Sequence, residues 1–211
     1  MSTSTNAIFY IAILIMSVVI HEISHGFMAE YFGDKTARHS GRLTLNPIPH
    51  LDLFGSIILP AVLILSNAGF LFGWAKPVPY NPDNLSNKRW GTLWVALAGV
   101  LANFSIAVIF GTIIRVAPYI FPEVVLSAGF YVITSTIVLI NLALGIFNLI
   151  PIPPLDGSKI LLAFLPEQIS SFILEYEQYS FILLLIFIIY FSDRLYPLLE
   201  VLFSVTTGLA L

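Results

Sequence analysis

The chain contains no cysteine, which excludes disulfides, thiol nucleophiles and thiolate metal ligands, so any metal must be held by nitrogen and oxygen. Charge is nearly as scarce. Asp, Glu, Lys and Arg make up 10% of 211 residues and the net charge is −3. No block of like charges occurs, which removes the electrostatic footprint of nucleic-acid binding. Internal repeats, low-complexity tracts and a soluble appendage are also missing. No basic segment precedes the first apolar run and no small-residue cleavage site follows its apolar part, so it reads as a retained helix and not a cleaved signal peptide. Without the alternation of a β-barrel, any span must be helical.

What is abundant is apolar residue. The hydrophobic fraction is 58% and the mean hydropathy is +0.93, values that fit a polytopic membrane protein inserted in a lipid bilayer. Spanning the hydrocarbon takes about 20 helical residues. Long apolar stretches run over Ala7–Phe32, Phe54–Phe72, Trp90–Val116, Val124–Ile150 and Phe181–Phe203. The expected fold is all-α, with about five to six transmembrane or re-entrant helices and a short extended, β-like membrane-associated loop. That loop is Gly73–Pro82, where prolines forbid helix. A turn around Pro118 and Pro122 should join Trp90–Val116 to Val124–Ile150 as an antiparallel pair. Ser158–Phe172 reads as the start of a span or an interfacial helix, and Phe181–Phe203 as one bent span or two short helices. Lys35, Arg38 and Arg42 follow the first helix, so its C-terminal end is expected on the cytoplasmic side.

Chemistry is concentrated in His21-Glu22-Ile23-Ser24-His25. Two histidines four apart share a helix face and can grip one metal ion, while the glutamate between them reaches a water there. The motif lies inside an apolar helix, where polar groups are expensive. A catalytic zinc needs a third protein ligand and an open position. His39, His50 and the acidic residues are available, the two histidines reading better as solvated or interfacial. Asp156 stands out because it follows Asn148-Leu149-Ile150-Pro151-Ile152-Pro153-Pro154-Leu155, where prolines interrupt a helix. On residues alone it is a site carboxylate or a cap for a helix beginning near Ser158.

The pair HExxH and NxxPxxxxDG, the latter carried by Asn148, Pro151, Asp156 and Gly157, resembles the site-2 protease family of intramembrane zinc metalloproteases, peptidase family M50. Gly99-Val100-Leu101-Ala102-Asn103 is similar to the family's GxxxN pattern, although a small residue in a membrane helix also serves close packing. Gly73–Pro82 is similar to the small prokaryotic branch that lacks PDZ and CBS domains. The resemblance implies a Zn2+ cofactor bound by His21, His25 and Asp156, with Glu22 as catalytic base. It implies one membrane-embedded metalloprotease domain over residues 1–211, with a catalytic core at about 6–165 and C-terminal helices at 166–211. Asp156 must then share a depth with the histidines, which makes Phe54–Phe72 a re-entrant excursion and Arg115 an outward exception to the charge rule.

The function expected is hydrolysis of peptide bonds within or next to transmembrane segments of membrane-protein substrates, in a prokaryotic plasma membrane and with the active site toward the cytoplasm. Asn103 is a candidate oxyanion or substrate contact. Asn148 is a candidate for the site or for tying down the broken backbone. The alternatives are a polytopic pseudoprotease or binding protein, and an HExxH membrane protease with Glu123, Glu167, Glu175, Glu177 or Glu200 as third ligand. A metal or proton transporter would usually show paired repeats. The sequence is compatible with a homo-oligomer and does not name a substrate.

Overall fold

The computed structural model describes residues 3–66, 73–121, 127–175 and 179–211. It is all-helical, with no strand among the described residues. Helix α1 (Thr3–Tyr31) ends where Gly33, at φ 106°, lets the chain turn back so that the Gly33 and Asp34 amides donate to Glu30 and Ala29 carbonyls. A single turn, α2 (Thr36–His39), follows. The next apolar stretch opens as a π-helical turn over Leu53–Ile58, capped by Asp52, and continues as α3 (Leu59–Leu65). Among the described residues this is a short apolar helix; the remainder of the expected Phe54–Phe72 stretch, residues 67–72, lies outside them.

Helix α4 (Lys88–Ile120) starts at Asn87, whose side chain accepts from the Trp90 amide, and α5 (Ala128–Asn148) starts at Ser127, which accepts from Phe130. Both caps satisfy backbone donors that a helix start leaves free. Pro118 does not end α4 as expected. The helix runs two residues past it, because a proline so close to the end removes only one terminal hydrogen bond. The expected turn at Pro122, and residues 124–126 of the second stretch, lie outside the described residues.

Among the described residues, three helices are long and apolar enough to cross a membrane: Ile8–Tyr31, Lys88–Ile120 and Ala128–Asn148. With membership of the family shown below, they make this an integral membrane protein. Beyond them the chain is broken into shorter pieces. Pro166 separates α6 (Asp156–Phe164) from α7 (Glu167–Glu175), so Ser158–Phe172 is divided between two nine-residue helices. The last stretch is α8 (Ser180–Phe191) and α9 (Tyr196–Thr207), a pair bent by 61° at Ser192–Leu195.

Helix α9 packs on the α4–α5 pair through Phe203 against Ala107, Ile114, Val138 and Leu142. Arg115 explains its own place in an apolar helix. Its guanidinium donates to the Ser204, Val205 and Thr206 carbonyls in the last turn of α9, where helix acceptors run short of backbone donors. A positive side chain also suits the negative end of the helix dipole.

Candidate metal centre

The i, i+4 spacing carries His21 and His25 to one face of α1, where both are more than nine-tenths buried. Their Nδ1 atoms are spoken for. His21 Nδ1 lies 2.6 Å from Asn103 Oδ1, and His25 Nδ1 lies 2.7 Å from the Val95 carbonyl. Both partners are acceptors, so each can accept an Nδ1 proton in a hydrogen bond and leave Nε2 free to bind a metal.

What the two Nε2 atoms face is Asp156. Its Oδ2 lies 3.1 Å from His21 Nε2 and 3.1 Å from His25 Nε2. Three donors bonded to zinc at roughly 2.0–2.1 Å in a tetrahedron stand about 3.3 Å apart. The two edges at 3.1 Å are close to that spacing, and the set is nitrogen and oxygen only, as a chain without cysteine requires. Among the described residues, the ligand atoms of His21, Glu22 and His25 also lie within 4.8 Å of one another.

Asp156 reaches this point through the turn at Ile150–Leu155. Gly157 is indispensable there, because a Cβ would sit 2.2 Å from the Leu149 carbonyl oxygen. Helix α6 begins at Asp156 itself, with Leu155 as the preceding residue and no side-chain cap bond, so the carboxylate is not spent on capping. Its other oxygen, Oδ1, lies 3.5 Å from Lys159 Nζ.

Gly99 faces the same point from α4. A Cβ there would come within 2.6 Å of His21 Cε1, His25 Cε1 and His25 Nε2. The packing and site readings of the GxxxN pattern therefore coincide: the small residue makes room for the two imidazoles.

Asn103, the other end of that pattern, is fully buried, and its amide is consumed by His21, Asn141 and the Ser17 carbonyl. The structure thus sets it behind the ring of His21, and not at an open face where an oxyanion would form. Asn148 donates to the Leu144 carbonyl within α5. His39 is exposed, whereas His50 is buried, against the expectation of a solvated ring, with Nε2 on the Thr44 carbonyl. Glu175 and Glu200 are exposed; Glu123, Glu177 and the Glu167 side chain lie outside the described residues.

Sequence reasoning did not foresee the partner of Glu22. Its Oε2 accepts from the Val78 amide at 2.8 Å. Residues 73–81 have no regular secondary structure and form a strap across α1. Pro77 and Pro79 have no N–H, so Val78 supplies the single backbone donor between Lys76 and Tyr80.

The strap is fixed at both ends. Lys76 N–H donates to the His50 carbonyl, and Arg42 Nη2 donates to the carbonyls of Lys76 and Pro77. At the far end the Asn81 amide donates to Asp34 Oδ2 at 2.6 Å. Burial pushes the Asp34 carboxyl up, but hydrogen bonds from Asn84, from the Thr36 hydroxyl and from the amides of Asn81 and Thr36 outweigh it and hold the group below the usual carboxylate range.

Known proteins are similar to this chain over most of its length. The model of the family described as peptidase family M50 matches residues 9–121 and 111–191. YwhC of Bacillus subtilis, which bears the name of a candidate zinc metalloprotease, is 39% identical over 82% of this chain and 76% of its own length. Rip2 of Mycolicibacterium smegmatis, named in the same way, is 30% identical over 86% of this chain and 67% of its own. The zinc metalloprotease MJ0392 of Methanocaldococcus jannaschii is 27% identical over 80% of this chain and 38% of its own. No solved structure gives a significant match. A family model covering most of the chain, together with a relative of this identity, leads to one conclusion: the chain belongs to peptidase family M50.

Proposed function

We propose that this zinc metalloprotease hydrolyses peptide bonds within or next to the transmembrane segments of other membrane proteins, with His21, His25 and Asp156 holding the zinc and Glu22 serving as base. The observation that carries the proposal is the approach of Asp156 Oδ2 to within 3.1 Å of Nε2 on both histidines, inside a chain whose three longest helices are of membrane-spanning length. Zinc, when bound there, supplies a Lewis acid that polarises the scissile carbonyl and acidifies a water.

The protein's own groups do the rest. Glu22 takes the proton of the attacking water on the oxygen left free by Val78 and later delivers it to the leaving amide nitrogen. Asn103 orients His21, and the Val95 carbonyl orients His25. Lys159 attracts Asp156 Oδ1, which leaves Oδ2 for the metal. A substrate helix arrives with its backbone hydrogen bonds already formed and must be unwound before a carbonyl is accessible. The strap at Trp74–Pro79 borders the base, so the extended substrate lies beside it. A crosslinking survey that finds no substrate near Trp74–Pro79 removes this part of the proposal.

Depth follows from the same arrangement. Helices α4 and α5 carry the chain out and back, so that Asp156 returns to the level of the histidines on the cytoplasmic half of a prokaryotic plasma membrane. With the Leu53–Leu65 segment as a re-entrant piece and the bent α8–α9 pair as a further crossing, the total is about five membrane-inserted elements. The catalytic core is about 6–165 and the remainder supports it from the side of α4 and α5.

Zinc content and cleavage of single-span membrane proteins, measured on Glu22→Gln and Asp156→Ala, test the assignment. Glu22→Gln is expected to keep zinc and lose turnover; Asp156→Ala is expected to lose zinc. Wild-type turnover in the first or wild-type zinc affinity in the second refutes the corresponding role. A wild-type protein that binds zinc and cuts nothing would mark a pseudoprotease.

A further inference from the structure

Behind His21, on the side away from Asp156, stand two polar side chains that the mechanism above does not use. Ser17 on α1 is 4% exposed and Asn141 on α5 is 0% exposed, each in an otherwise apolar run. We infer that Asn141, anchored by Ser17, is a positioning residue of the metal centre: it fixes which way the Asn103 amide points, and through that amide the tautomer and orientation of the His21 ring. This rests on the reading of His21 as a zinc ligand.

The direction of donation decides the matter. For Nε2 of His21 to offer a lone pair, the ring proton must sit on Nδ1, where it donates to Asn103 Oδ1. The Asn103 Nδ2 then turns the other way and donates to Asn141 Oδ1 at 2.8 Å. Asn141 Nδ2 in its turn donates to Ser17 Oγ at 2.9 Å and to the Ile137 carbonyl at 2.8 Å.

That last carbonyl belongs to the backbone of α5 and can only accept. It therefore sets the polarity of the chain of amides from the far end, just as the metal-facing lone pair sets it from the near end. Both ends require the same orientation of both asparagines. Reversing either one would put donor against donor or acceptor against acceptor in a buried site. Asn141 thus links α5 to α4, and α4 to the ring on α1, with a defined sense. A purely structural role for Asn141, as a polar tie between membrane helices, would affect stability and not the metal.

The two roles separate in zinc dissociation constants measured by chelator competition on purified, full-length protein. Asn141→Leu is expected to weaken zinc binding by about 10- to 100-fold, the range for groups that orient metal-bound histidines. Because Asn141 acts through Asn103, the double variant with Asn103→Leu should bind zinc no more weakly than Asn103→Leu alone. Val138→Ala, which removes buried packing from the same helix, should lower thermal stability and leave zinc affinity at the wild-type value.

A folded Asn141→Leu protein with wild-type affinity overturns the inference, and so do losses that add in the double variant. Should Asn141→Leu fail to fold, Ser17→Ala decides. In nitrogen-15 histidine spectra of the zinc-loaded protein, the His21 Nδ1 proton should exchange with water faster than in wild type; unchanged exchange overturns the inference. Wild-type zinc affinity in His21→Ala would overturn the zinc-ligand reading itself, and this inference with it.

Discussion

Gly99→Ala adds one methyl group where the structure has no room for it. The new Cβ would lie 2.6 Å from His21 Cε1 and from His25 Cε1 and Nε2, about 0.8 Å short of the 3.4 Å at which ordinary contact begins. Neither ring can yield freely, since each is held on its other side by a hydrogen bond, to Asn103 and to the Val95 carbonyl. Metal–ligand distances tolerate departures of only about 0.2 Å. The expected result is weaker zinc binding by about 10- to 100-fold, or about 1.4–2.8 kcal/mol. Alanine has the better helix propensity by about 1 kcal/mol, so α4 itself should not suffer. The assay is zinc affinity by chelator competition, with thermal unfolding of the metal-free protein alongside. A Gly99→Ala protein that binds zinc as wild type does would refute the placement of the metal between α1 and α4.

Two further outcomes follow from the strap. Val78→Pro removes the amide that holds Glu22 while keeping the proline character of the segment; zinc affinity should be unchanged and kcat should fall by about tenfold, a fraction of what a positioned base contributes. Wild-type kcat would show that the Val78 bond does not position the base. Asp34 has a folded pKa below its ordinary value, so its contribution is present above about pH 4 and is lost as pH falls through the folded value. Asp34→Asn should accordingly lower the Tm at pH 7, with the gap to wild type narrowing below about pH 4; a gap that stays constant into acid would show that the carboxylate charge is not what matters.

Much of the frame is legible in the sequence because lipid imposes a simple rule on it. Uninterrupted apolar runs of sufficient length gave α1, α4 and α5, and the i, i+4 histidines had to share a face. The third donor is different. No periodicity relates Asp156 to His21, and its role came from a family pattern, with the structure adding the distance. The strap is legible as an extended, non-helical loop, but prolines do not say where its one remaining amide points. His50 was misjudged because a histidine in a proline-rich stretch looks solvated until its neighbours are known. Asn141 carries in the sequence the same signal as Asn103, an uncharged amide in the middle of an apolar helix.

The donor set proposed for the zinc is split between the first helix and the turn that follows the third long one. During synthesis α1 enters the membrane with its two histidines and its glutamate long before Asp156 has been translated. Until residue 157 or so is in place, His21 and His25 wait in lipid without Asp156, and Gly99 and Asn103 arrive in between. On the proposed donor set, chain order therefore makes completion of the metal centre a late event of synthesis: a nascent chain carries the HExxH motif before it carries the carboxylate that would complete the site.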